Sequence, residues 1–126
     1  MRYLLDSTLL IDHANMDEPA AELLARLYSE AHELYTCDVV TCETLTQGDA
    51  SHLRHIRALL DALEYVATSP TAARWAANAR RTRHLAGGKL GLADALIAGI
   101  AADLGATVVS RNRPDFQRQG IEVLTY

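Results

Sequence analysis

Short apolar runs alternate with helix-forming stretches from one end of the chain to the other. RYLLD, LYTC, EYVAT, ATVVS and IEVLTY are brief and rich in Leu, Val and Tyr. Longer segments with helical spacing or helix-start signals separate them. This alternation admits few folds. Runs that are apolar at successive positions suit strands of a parallel sheet covered on both faces. An α/β fold with a central, mostly parallel β-sheet flanked by α-helices is therefore expected.

The helical segments carry their own punctuation. STLLIDHA follows Asp6 and Ser7, either of which can cap a helix. DEPAAELLARLYSEAHE places Pro19 in a first turn and repeats apolar residues at Ala21, Leu24, Leu27, Tyr28 and Ala31. DVVTCETLTQG reads as a helix from an Asp38 cap to a Gly48 stop, and HLRHIRALLDAL as another. SPTAARWAANARRTRHLAGG has Ser69 as cap, Pro70 at the first position and a Gly-Gly end. LADALIAGIAADLG is a nearly all-apolar helix stopped by Gly105. SRNRPDF, after ATVVS, reads as a loop.

With 126 residues, 49% of them hydrophobic, the chain has material for one core, and a single domain over 1–126 is expected. No apolar run approaches the roughly 18 residues of a membrane span. MRYLLDSTLLIDH has a signal-like start, but Asp6 and Asp12 interrupt it and no small-residue cleavage site follows, so a cytoplasmic protein without membrane association is expected. Cys37 and Cys42 match no common zinc or redox spacing and read as small buried thiols. The formal net charge of −4 weighs against a module that holds nucleic acid by charge alone. It leaves room for an enzyme that meets phosphates through metal ions.

In open α/β sheets, ligands bind beyond the carboxyl ends of the strands. Four acids occupy such places: Asp6 as the last residue of the first strand, Glu43 on the helix after the second, Asp94 in the first turn of the apolar helix, and Asp115 in the loop after ATVVS. Each also has a local explanation. Asp94 can complement a helix N-terminus, Asp6 can cap a helix, Glu43 can be a solvated helix residue and Asp115 a turn residue after Pro114. Composition and spacing do not join the four. If they do meet, each raises the others' pKa, and a hard divalent cation such as Mg²⁺ relieves the conflict. A site of that kind supports phosphodiester hydrolysis.

YLLDSTLLID, VVTCETLTQG, LADALIAGIAADLGATVVSRNRPDF and the closing IEVLTY resemble, in order, the signature segments of PIN-domain ribonucleases. The likeness is nearest to the VapC toxins of VapBC toxin–antitoxin pairs. It spans nearly the whole chain, although residues from about 49 to 88 vary within the family. The resemblance implies a PIN-like fold and Mg²⁺-dependent endoribonuclease activity, with Mn²⁺ as a possible substitute. It implies a site of Asp6, Glu43, Asp94 and Asp115, with Asp6 and Asp94 at the positions most consistently assigned to the metal. Ser7 and Asn112 match polar positions flanking the site, and Ser110 stands where many members carry Thr. The implied partners are an RNA substrate, with tRNA favoured, a small VapB-like antitoxin and a second copy of the chain in a homodimer. A housekeeping RNA-processing nuclease and a non-catalytic interaction module are the alternatives.

Other features are weighed beside this reading. Arg111 and Arg113 lie in the site segment and are candidates for RNA contact. NARRTRH reads as a solvated helix face more readily than as a phosphate-contacting patch. His52 and His55, three apart, read as surface histidines because no third ligand or cysteine lies nearby. AGGKLG follows a helix, and no Ser or Thr comes after Lys89, so it is no phosphate-binding loop of the P-loop kind. Trp75 reads as a core or dimer contact.

Overall fold

The computed structural model describes every residue of the chain except Ala31. Its centre is a five-stranded, wholly parallel sheet. The strands are β1 (Arg2–Leu5), β2 (Glu33–Cys37), β3 (Glu64–Val66), β4 (Thr107–Val109) and β5 (Val123–Leu124), in the spatial order β3-β2-β1-β4-β5. β1 pairs with β2 on one side, with Leu4 opposite Tyr35, and with β4 on the other, with Leu5 opposite Val109. Successive strands are laid down outward from β1 in one direction, and then the chain returns to build β4 and β5 on the other side. The order reverses between β1 and β4, and a crevice opens at such a switch point.

The helices are α1 (Ser7–Ala14), α2 (Glu18–Ser29), α3 (Asp38–Leu45), α4 (Ala50–Asp61), α5 (Pro70–Leu85), α6 (Leu92–Leu104) and α7 (Arg113–Gln117). One core gathers Leu4 and Leu5 of β1, Leu9 and Leu10 of α1, Ile97 and Ile100 of α6, and Phe116 of α7. α6 is apolar nearly all round because it is buried nearly all round, from Ala95 through Ala101 apart from half-buried Leu96. It packs so closely on α5 that a Cβ at Gly99 would collide with the Ala72 carbonyl oxygen. Ser69 caps α5 by accepting from the Ala72 N–H at 3.0 Å, with Pro70 opening the helix as expected. Trp75 packs against the core. Among the described residues, no helix is long and apolar enough to cross a membrane.

Several local readings are corrected. SRNRPDF is not all loop: Arg113–Gln117 forms α7, with Pro114 in its first turn, so Asp115 sits on a helix. α2 ends at Ser29, Glu33 already belongs to β2, and Tyr28 is 45% exposed. Ala20 and Leu23 are buried where the spacing favoured Ala21, while Ala31 lies outside the described residues. Asp38 is the first residue of α3, and its carboxylate accepts from the Thr68 amide at 3.1 Å and hydroxyl at 2.9 Å. α3 stops at Leu45, before Gly48. α4 begins earlier than expected, capped by the Asp49 carboxylate on the His52 N–H. Cys37 is buried, with its thiol pushed up to about 11 mainly by burial, but Cys42 is exposed. His55 pairs with His13 of α1, ring nitrogen to ring nitrogen at 2.9 Å, and is half-buried, as is His52.

Candidate active site

Asp6 is the residue after β1, and its backbone N–H still donates to Val109 of β4 at 2.9 Å. That bond sets its side chain at the switch point. Asp6 is 2% exposed. Burial raises its pKa, and three hydroxyls oppose the rise. Ser110 donates to Oδ2 at 2.6 Å, Thr8 to the same oxygen at 3.2 Å and Ser7 to Oδ1 at 3.4 Å. Hydroxyl donors lessen the cost of a buried carboxylate without supplying a countercharge.

Asp94 stands in the first turn of α6. Its carboxyl is pushed up to about 6, first by burial and then by the negative charges of Asp6, Asp115 and Glu43. Four acids distant in sequence are thus close enough for three of them to act on the fourth. Glu43, on α3, is an exposed residue whose carboxyl is nonetheless partly desolvated. Burial, and then the Asp6 charge, raise its pKa, and the nearby Ser7 hydroxyl opposes the rise. Asp115, in the first turn of α7, accepts from Asn112 Nδ2 at 2.7 Å and lies 3.8 Å from Arg118 Nη1. Among the described residues, Asp6, Glu43 and Asp94 have no Lys, Arg or His partner within ion-pair distance.

The shared donors are carboxylate oxygens, the chemistry of a hard cation rather than a soft one. Among the described residues, no three His, Cys, Asp or Glu side chains close into a ready-made metal cage. Ions that keep several waters bind such donors through as few as one or two carboxylates. Like charges that raise one another's pKa are the arrangement such an ion relieves. Beside Glu43 a groove of about 660 Å³ opens, lined by Asn15, Thr44, Gln47 and His52 among others.

The two arginines of this segment differ. Arg111 Nη1 lies 3.2 Å from Asp12 Oδ1, and its backbone N–H donates to Thr8 Oγ1 at 3.1 Å. Asp12, buried on α1, also accepts from the Tyr126 hydroxyl at 2.6 Å. Burial, then that bond to Asp12, pushes the phenol far above its usual range. Arg113 is exposed at the start of α7 and has no ion pair among the described residues. Sequence reading missed Thr8 and the Asp12–Arg111–Tyr126 cluster, and it did not place Ser110 against Asp6. One signal was available: Ser110 follows β4 as Asp6 follows β1, and two polar residues at adjacent strand ends can meet.

The sequence model of the PIN domain matches residues 3–121. No curated protein sequence matches the chain. Among solved structures, the fold is similar to a chain of VapBC2 from Rickettsia felis bound to a DNA fragment from their promoter (20% identity, 100% of this chain and 99% of that one, TM-score 0.86). It is similar to a chain of DNA-bound VapBC from Salmonella typhimurium (21% identity, 99% and 98% covered, TM-score 0.81). It is also similar to VapC20 of Mycobacterium tuberculosis, a sarcin–ricin loop cleaving toxin (16% identity, 94% and 95% covered, TM-score 0.69).

Proposed function

Because the chain belongs to the PIN domain family, we propose that it is a divalent-metal-dependent endoribonuclease, the toxin of a VapBC-like toxin–antitoxin pair acting in the cytoplasm. The observation that carries this reading is that acids from three other parts of the chain, Asp6, Asp115 and Glu43, act on Asp94, while among the described residues Asp6, Glu43 and Asp94 have no cationic partner. A site that strains to stay ionised is one that a cation and a phosphate can complete.

In this reading Asp6, Asp94 and Asp115 hold Mg²⁺ directly or through water, and Mn²⁺ substitutes. The ion, when bound, neutralises phosphate charge and makes water a better nucleophile. Ser110, Thr8 and Ser7 hold Asp6, and Asn112 holds Asp115. Glu43, partly desolvated and beside the groove, shares in ligation or takes the proton of the attacking water. Water oxygen bonds to phosphorus as the bond to the ribose 3′-oxygen breaks. The products carry a 5′-phosphate and a 3′-hydroxyl; a 2′,3′-cyclic phosphate would contradict the scheme.

tRNA is the proposed substrate. The sarcin–ricin loop, which VapC20 cleaves, is its rival. A small antitoxin is the proposed inhibitor, since VapBC complexes are among the similar structures. The chain itself is proposed to be a homodimer, which light scattering at micromolar concentration checks. The deciding experiment is sequencing of RNA 5′ ends after brief induction, with Asp6→Ala as comparison. New 5′-phosphate ends in the parent alone support the reading. Identical ends in both strains refute it.

A further inference from the structure

The C-terminal part of α5 and the segment that follows it enclose a cleft of about 610 Å³, lined by Arg80, Arg81, His84, Lys89, Leu90 and Gly91 among others. The chain has twelve Lys and Arg against sixteen Asp and Glu. Three of those twelve line this one cleft, and no acid does. Among the described residues, Arg80, Arg81 and Lys89 have no carboxylate within ion-pair distance. Arg80 Nε donates to the Leu90 carbonyl at 3.0 Å, which pins that arginine to the segment closing the cleft. A helix face meant only for solvent would gain from interspersed acids.

Position gives the cleft its meaning. Gly91 lines it and is also the N-cap of α6. Asp94 lies three residues further, about 4.5 Å along the helix axis at the usual rise. The basic cleft therefore reaches the start of the helix that carries Asp94. A nucleic-acid strand crossing four carboxylates has phosphates on either side of the scissile one, and the acids repel them. Unpaired cations beside the acids offset that repulsion.

We propose that the Arg80–Arg81–Lys89 cleft is the track for the RNA sugar–phosphate backbone flanking the scissile phosphodiester, an inference that rests on the nuclease reading for its place in the reaction. Arg80 is the fixed member. Arg81 and Lys89 are the adjustable contacts. The cleft discriminates by charge and not by base, so it sets affinity and strand placement rather than sequence preference.

The test uses the full chain carrying Asp94→Asn to prevent cleavage, with binding of a single-stranded RNA oligonucleotide followed by fluorescence anisotropy across salt concentrations. R81Q/K89Q is compared with R26Q/R57Q, which removes equal charge from α2 and α4. Loss of two phosphate contacts should make the slope of log affinity against log salt shallower by about 1.4. The control pair should leave it unchanged. An unaltered slope and affinity in R81Q/K89Q would overturn the proposal. So would a variant that binds RNA like the parent but loses binding to polyglutamate, which would assign the cleft to an acidic protein. RNA cleavage by the chain with Asp94 intact is scored separately. Cleavage with an unaltered slope retires the cleft proposal alone, whereas a shallower slope without cleavage retires the nuclease reading and leaves the cleft an RNA-binding surface.

Discussion

The Ser110 hydroxyl donates to Asp6 Oδ2 at 2.6 Å, joining the ends of β4 and β1 across 104 positions of sequence. Ser110 is fully buried and Asp6 nearly so. The same hydroxyl accepts from the Asn112 N–H at 2.9 Å, so one side chain ties the buried carboxylate to the segment leading into α7. Removing it leaves Asp6 Oδ2 with Thr8 alone, at 3.2 Å. Ser110→Ala should therefore cost about 2 kcal/mol, the usual scale for a hydrogen bond to a charged group. Urea denaturation measures this. Ser110→Thr, which keeps the donor, should recover most of the loss, and equal destabilisation by both would point to packing instead.

The pH dependence of stability follows from Asp94. Its folded pKa of about 6 lies above the ordinary 3.8, so the folded chain binds this proton more tightly than the unfolded one. The resulting stability is complete below pH 3.8 and is lost as pH rises through about 6. In chelator-treated protein, Asp94→Asn should lack this loss. The parent's Tm minus the variant's should fall between about pH 4 and 7. Mg²⁺ added at the upper end should raise the parent's Tm more than the variant's, since a ligand that binds only the native state stabilises it. A gap that stays flat with pH would contradict the assignment.

Arg111 and Arg113 should behave differently although they are two residues apart. Arg111 is engaged by Asp12, while Arg113 has no such partner among the described residues. Arg113→Gln should make the salt dependence of RNA binding shallower by about 0.7, the value for one phosphate contact on a single strand. Arg111→Gln should change that slope less and lower thermal stability more, because Asp12 keeps only the Tyr126 hydroxyl. A larger slope change from Arg111 would reverse the assignment.

The α5–α6 contact should tolerate no added carbon at Gly99. A Cβ there meets the Ala72 carbonyl oxygen, a backbone atom that cannot swing aside. Gly99→Ala should cost about 1–3 kcal/mol as α6 is pushed from α5. Because α6 carries Asp94, RNA cleavage should also fall. Unchanged stability in urea would show that the helices can part at no cost.

Alternation of short apolar runs with capped helical segments was enough to specify a parallel α/β fold, because strand and helix periodicities, Pro70 and Ser69 are local signals. Local patterning also put acids at strand ends and showed α6 to be nearly all apolar. It could not order the strands. That β1 sits between β2 and β4 depends on pairings such as Arg2 with Glu33 and Tyr3 with Thr107, far apart in the chain, and so does the switch point where Asp6 and Ser110 meet. Nor could it see α7, since five residues with Pro and Asp look like a turn until Phe116 is buried. NARRTRH looked like a solvated face because its neighbours in sequence are helical. Only the packing of Gly88–Gly91 beside it makes a cleft without acids. Charge acts through space, so the influence of Asp6, Glu43 and Asp115 on Asp94, and the grouping of Arg80, Arg81 and Lys89 in one cleft, were decided by the tertiary fold.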